Sequence, residues 1–163
     1  MLTLASLLTF SFSSCEKDDD TATSSQGGGQ PVVTVPDLAG TSWVCSMENS
    51  TSMQGVPVNI SIDATLDFTD ETSGEYFQMA SVEFPQFPDY NQNNDQTFVF
   101  TYTVSGGKIL ITYTYTDEES QEDVTETVEL LYDPATDTIY MDANSPEMEQ
   151  MLGTDIYRFT RVQ

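Results

Sequence analysis

From Thr97 to Thr116 large apolar and aromatic residues recur with a period of two, interrupted by Ser105-Gly106-Gly107-Lys108. Phe98, Phe100, Tyr102 and Val104 fall on one face of the first arm, and Val99, Thr101 and Thr103 on the other. On the second arm Ile109, Ile111, Tyr113 and Tyr115 oppose Leu110, Thr112, Thr114 and Thr116. A helix would scatter these sets around its circumference, whereas a strand gathers each on one side. Gly106-Gly107 supplies the positive φ angles of a tight hairpin turn. The segment therefore predicts two antiparallel strands, Thr97–Val104 and Ile109–Thr116, with one face apolar.

The same period recurs along the rest of the chain. Asp123–Tyr132 places Val124, Glu126, Val128, Leu130 and Tyr132 on one side, and Asp133-Pro134-Ala135-Thr136-Asp137 is a turn with an early proline. Thr138–Asp142 and Ile156–Val162 read as short strands. Upstream, Thr41–Met47, Val58–Phe68 (with a break near Asp63) and Glu75–Phe84 are further strands. One segment has helical punctuation: Ser145 as cap, Pro146 in the first turn, Glu147 near the positive end and Gly153 as stop. The prediction is an all-β domain of about eight strands, an up-and-down antiparallel barrel with one short helix before the last strand. A two-sheet β-sandwich is the alternative.

Charge narrows the function classes. The 163 residues hold 27 acidic and 4 basic side chains, a formal charge of −23. Nucleic-acid binding needs clustered Lys and Arg to replace counterions, so none is expected. Adsorption to anionic lipid is disfavoured for the same reason. The chain has no histidine, which removes Ser-His-Asp and Cys-His catalysis and imidazole zinc sites. Asp89 to Asp95 spaces oxygen donors like a calcium loop, but Asn94 stands where that loop needs glycine and Phe100 where it needs glutamate. No pair of carboxylates is singled out for hydrolysis. The expectation is a monomeric, non-enzymatic protein with no metal or cofactor, in which Cys45 is a small buried hydrophobe. A bridge from Cys15 to Cys45 is the alternative.

At the N-terminus, Met1 to Ser14 is an uncharged run of apolar and hydroxyl residues, too short to cross about 30 Å of hydrocarbon as a helix. Cys15 follows it and opens Glu16-Lys17-Asp18-Asp19-Asp20. This arrangement resembles a bacterial lipoprotein signal in which the cysteine is acylated, and the acidic residues after it resemble the surface-export signal of Bacteroidetes lipoproteins. The resemblance implies a signal peptide over 1–14, a lipidated Cys15 with a flexible acidic and Gly-rich tether over 15–37, and a domain over 38–163. It also implies an outer-membrane lipoprotein exposed on the cell surface, in contact with the membrane through Cys15. An ordinary signal peptide cleaved elsewhere is the alternative. Asp20-Thr21-Ala22 and Asp137-Thr138-Ile139 resemble the tripeptides that Bacteroidetes O-glycosylate.

Leu38-Ala39-Gly40-Thr41-Ser42-Trp43, the Phe98-to-Tyr115 hairpin and the closing Tyr157-Arg158-Phe159-Thr160-Arg161-Val162 together resemble the lipocalin-like lipoproteins of Bacteroidetes. That resemblance implies a calyx for a small apolar or amphipathic molecule, lined by Trp43, Phe98, Phe100, Tyr102, Tyr113 and Tyr115. Read from the residues alone, the same side chains are core, with Trp43 closing the barrel base beneath Arg158 or Arg161. Between two strands, Phe84, Phe87 and Tyr90, stiffened by Pro85 and Pro88, form a candidate recognition loop for a glycan or a partner protein. Folding back as a lid is the alternative for that loop.

Overall fold

The structure, a computed structural model, describes residues 33–117 and 120–162. Cys15, the leader over 1–14 and Asp20-Thr21-Ala22 lie outside the described residues. Eight strands follow one another as β1 (Thr41–Met53), β2 (Val56–Phe68), β3 (Ser73–Glu83), β4 (Gln92–Ser105), β5 (Lys108–Thr116), β6 (Asp123–Asp133), β7 (Thr138–Asp142) and β8 (Ile156–Arg161). Each pairs antiparallel with the next, and β1 pairs with β8, so the sheet closes into the predicted up-and-down barrel. A single helix, α1 (Pro146–Leu152), stands before the last strand.

The Gly106-Gly107 turn has φ of +61° and +84°, and the pairing from Ser105↔Lys108 to Phe100↔Tyr113 sets the predicted register. Phe100, Tyr102, Ile109, Ile111 and Tyr113 are buried inside, and Thr101, Thr103 and Thr114 are exposed. Three strands differ in extent from the sequence reading. β1 runs on to Met53, because polar residues on both phases, Glu48 to Ser52, still pair along β2 as far as Met53↔Val56. β2 is unbroken at Asp63, whose side chain faces solvent while its backbone pairs with Ser46 and Met79. Asp89 to Asp95 forms a 3-10 turn at Pro88–Tyr90 and then the start of β4. Its donors Asn93, Asn94 and Asp95 thus alternate across a strand and do not converge.

The barrel has two unlike ends. At the base, Trp43 is wholly buried and meets Tyr132 edge-on at 6.3 Å. The Arg161 guanidinium lies 4.6 Å over the Trp43 ring, and its Nε is 3.4 Å from Asp137 Oδ2. Closure there consists of Trp43↔Arg161 and Val44↔Thr160, followed by the Val162 N–H donating to the Ser42 carbonyl at 2.8 Å. Packing begins before Leu38. Leu38 is buried, Val35 lies against the core, and Val33 sits against Gly107. Phe68 makes edge-to-face contacts with Phe100 at 5.6 Å and Tyr102 at 4.9 Å, so the base is filled. Each such side chain stabilises the fold by roughly 1.5–3 kcal/mol through burial.

At the opposite end, α1 covers part of the opening. The Ser145 Oγ accepts from the Met148 N–H at 3.2 Å, and Gly153 at φ +76° donates to the Glu149 carbonyl at 2.9 Å, which ends the helix as its sequence predicts. Met148 is buried in the main core. Met151 and Leu152 join Phe84 over a second cluster of Val58, Ile60 and Val82. The Asn49 Nδ2 donates to the Met151 carbonyl, which ties the helix to β1.

Two base features yield predictions. A Cβ on Gly74 would meet the Asp67 carbonyl oxygen at 2.5 Å and Phe100 Cε2 at 2.7 Å. Gly74→Ala is expected to lower stability by about 1–3 kcal/mol through overpacking, read as a fall in the urea midpoint. In the β2–β3 turn the Asp70 carboxylate accepts from the Ser73 and Thr72 hydroxyls and from both their N–H groups. These donors, the Ser73 hydroxyl foremost, hold its pKa down from 3.8 to about 2. A lowered carboxyl pKa stabilises the fold above the unfolded value and ceases to do so as pH falls through the folded value. The stability margin of the wild type over Asp70→Asn should therefore be constant from pH 5 upward and shrink between pH 4 and pH 2.

Candidate functional site

Inward positions of β1, β4 and β5 place the aromatic residues of the sequence reading in two groups. Trp43 and Phe100 are sealed in the filled base, and Tyr102 is buried beside them with its hydroxyl donating to the Asp70 carbonyl at 2.8 Å. Phe98, Tyr113 and Tyr115 lie nearer the helix end, and Phe98 and Tyr115 are only half-buried. Tyr76 and Phe98 stack at 4.8 Å, Phe98 and Tyr113 at 4.2 Å, and Tyr113 and Tyr115 at 6.1 Å. Four rings from three strands thus form one stacked ladder running from buried Tyr76 to half-buried Tyr115 toward the helix-side end.

Backbone pairing explains why the ladder is accessible. β3 and β4 stay paired to Val82↔Gln92, and β5 and β6 to Thr116↔Asp123. The ladder between β4 and β5 stops at Phe100↔Tyr113. Phe98 and Tyr115, the next facing pair, therefore flank a gap in the wall, and Phe98 stacks on Tyr113 in place of its nominal partner.

Polar groups frame the rings. Glu126 of β6 accepts from the Tyr113 hydroxyl at 2.7 Å through one oxygen and from the Tyr115 hydroxyl at 3.0 Å through the other. Burial pushes the Tyr113 hydroxyl far above its ordinary value, and the Glu126 carboxylate adds to the shift. Tyr115 is shifted upward by the same two causes. Deeper inside, Gln78 of β3 is 3% exposed, and its Oε1 accepts from the Tyr76 and Tyr157 hydroxyls. Burial is again the first cause that raises both phenols. The Gln78 Nε2 donates to no group among the described residues. Cys45 is a free, buried thiol, raised in pKa chiefly by desolvation.

Sequence reasoning did not single out Tyr76, Gln78, Glu126 or Tyr157. Glu126 had a signal, a carboxylate in an otherwise apolar row of β6. Gln78 had none, since Phe77 and Met79 beside it make the opposite phase of β3 look like the inner one.

The loop residues separate. Phe84 packs into the cluster under α1. Phe87 and Tyr90 are 48% and 68% exposed and meet edge-on at 6.4 Å. Thr138 is buried and its hydroxyl donates to the Thr136 carbonyl at 3.2 Å, which removes Asp137-Thr138-Ile139 from the accessible glycosylation sites. Among the described residues no three His, Cys, Asp or Glu side chains are grouped to hold a metal ion.

Raised phenol pKa values give a direction for alkaline stability. A group raised on folding stabilises fully below its unfolded pKa, about 10 for tyrosine, and loses that contribution as pH climbs toward the folded value. Unfolding free energy should fall from about pH 10 upward, with tyrosinate absorbance appearing as the barrel opens. Tyr157→Phe should make that fall shallower while lowering stability at pH 7 by about 1 kcal/mol, through the lost bond to Gln78.

No family model, curated protein or solved structure matches this chain.

Proposed function

We propose that this chain is a tethered, non-enzymatic binding module with a lipocalin-like barrel, which takes up a small planar amphipathic molecule at its open end. The observation that carries the reading is the ladder Tyr76–Phe98–Tyr113–Tyr115, stacked at 4.2–6.1 Å and ending beside a gap between β4 and β5. A flat apolar ring added to the exposed end of such a stack gains dispersion and offset-stacking energy of about 0.5–1.5 kcal/mol per ring contact. Glu126 accepts hydrogen bonds at the rim and the Gln78 amide has a free donor below, so a ligand with polar groups at both ends suits the site. The filled base sets the depth: the ligand enters the helix-side half only. Cys15 and the acidic residues after it support anchoring to the outer membrane, with the domain displayed at the cell surface.

A second reading is favoured by the exposure of Phe87 and Tyr90, which present two rings to a glycan or a partner protein. The neutral fluorophore N-phenyl-1-naphthylamine separates the two. Titrated into the full chain, it should gain fluorescence, and its affinity should fall about three- to tenfold in Phe98→Ala and in Tyr115→Ala. Phe87→Ala with Tyr90→Ala should leave it unchanged. Loss of binding in the loop variant alone would move the site outside the barrel.

A further inference from the structure

The outward face of β1 to β4 carries an unusual pairing of apolar and charged groups. Cross-strand register aligns Val44 with Thr65, Thr65 with Phe77 and Phe77 with Thr97. Met79 lies two residues along β3, and Val99 two residues along β4 from Thr97. Neighbours in such a row are roughly 5 Å apart and those two residues along a strand about 7 Å, so Met79 and Val99 flank Phe77, and Val44 stands across Thr65 from it. Val44, Phe77, Met79 and Val99 are 37–68% exposed. Nothing in the barrel requires apolar residues here, since these positions face away from its core.

The charges around this patch share one sign. Glu48, Asp63, Asp67, Glu75, Glu83 and Asp95 occupy outward positions of the same four strands, and β1 to β4 contain no Lys or Arg. Beyond Met79 the face bends into a concave groove of about 570 Å³, whose lining includes Glu48, Ser50, Asn59, Ser61 and Glu83. Carboxylates at two walls of a polar groove attract a cation, and the patch beside it offers area for apolar contact.

We infer that this face is a docking surface for a cationic amphipathic polypeptide, with a Lys or Arg side chain entering the groove between Glu48 and Glu83 and apolar residues lying on Phe77 and Met79. Charge complementarity decides the occupant. A second copy of the chain would oppose six carboxylates with six more. Among the described residues its cations are already engaged: Lys108 pairs with Glu129 at 2.9 Å, Arg161 lies over Trp43, and Arg158 lies 5.9 Å over Tyr140. The Phe77–Met79 patch lies on the outside of the wall, away from the stacked rings within, whereas the groove reaches the helix-side end through Asn49 and Ile60.

The test uses the full chain and a fluorescent twelve-residue peptide of alternating Lys and Leu, with a Lys–Ser peptide of equal charge as comparison. The Lys–Leu peptide should bind at least tenfold more tightly than the Lys–Ser peptide. Phe77→Ser with Met79→Ser, which leaves net charge untouched, should weaken Lys–Leu binding at least tenfold, and Glu48→Gln with Glu83→Gln several-fold. Val104→Ser with Leu131→Ser, exposed residues off this face, should change nothing. Equal binding of the two peptides, or equal loss in the Val104/Leu131 variant, would reduce the effect to bulk charge and overturn the inference. Self-association of the chain, abolished by the Phe77/Met79 variant in sedimentation, would overturn it in favour of a second copy.

Discussion

Closure of the barrel depends on a narrow seam. A sheet of eight strands left open presents two rows of unpaired N–H and C=O groups, each a template for aggregation, and only full closure removes both. Here β1 and β8 meet through two residue pairs and one further backbone bond, although β8 pairs along five residues with β7. What the seam lacks in hydrogen bonds it gains from side chains. Arg161 lies over Trp43 on the inside, and Leu38 is buried in the same core. Beyond the seam α1 meets β1 through the Asn49 bond to the Met151 carbonyl, with Met148 wholly buried.

That arrangement divides the interior into a solid half and an accessible half. Trp43, Leu66, Phe68, Phe100, Ile109 and Leu130 are all fully buried at the base. Toward the helix the core changes character, with a glutamine, a glutamate and four tyrosines sharing hydrogen bonds among the rings. Buried polar networks cost desolvation unless each member is satisfied. Tyr76 and Tyr157 meet that condition through Gln78, and Tyr113 and Tyr115 meet it through Glu126. These hydrogen bonds fix the hydroxyl ends of the stacked tyrosines.

Much of the fold was legible in the sequence because its signals are local. The Phe98–Tyr115 hairpin needed only a period of two and a glycine pair, and α1 needed only Ser145, Pro146 and Gly153. What was not legible depends on residues distant in the chain. The seam joins opposite ends of the domain, and no local pattern shows that Trp43 pairs with Arg161, although the stacking of an arginine on that tryptophan was foreseeable. On β3 both phases are apolar, so only pairing with β2 and β4 determines that Tyr76 and Gln78 face inward while Phe77 and Met79 face out. The gap between β4 and β5 was invisible for a similar reason. Alternation continues through Tyr115, and nothing in it records that pairing stops at Phe100↔Tyr113.

The placement of Val33, Val35 and Leu38 at the base has a mechanical consequence. The polypeptide enters the barrel at its solid end, so tension applied through the preceding residues reaches the Val33–Gly107 and Leu38 contacts before it reaches the β1–β8 seam. These contacts act as a strain relief for the weakest joint of the wall. They also place Val33, Val35 and Leu38 at the pole opposite α1 and the Phe87–Tyr90 loop.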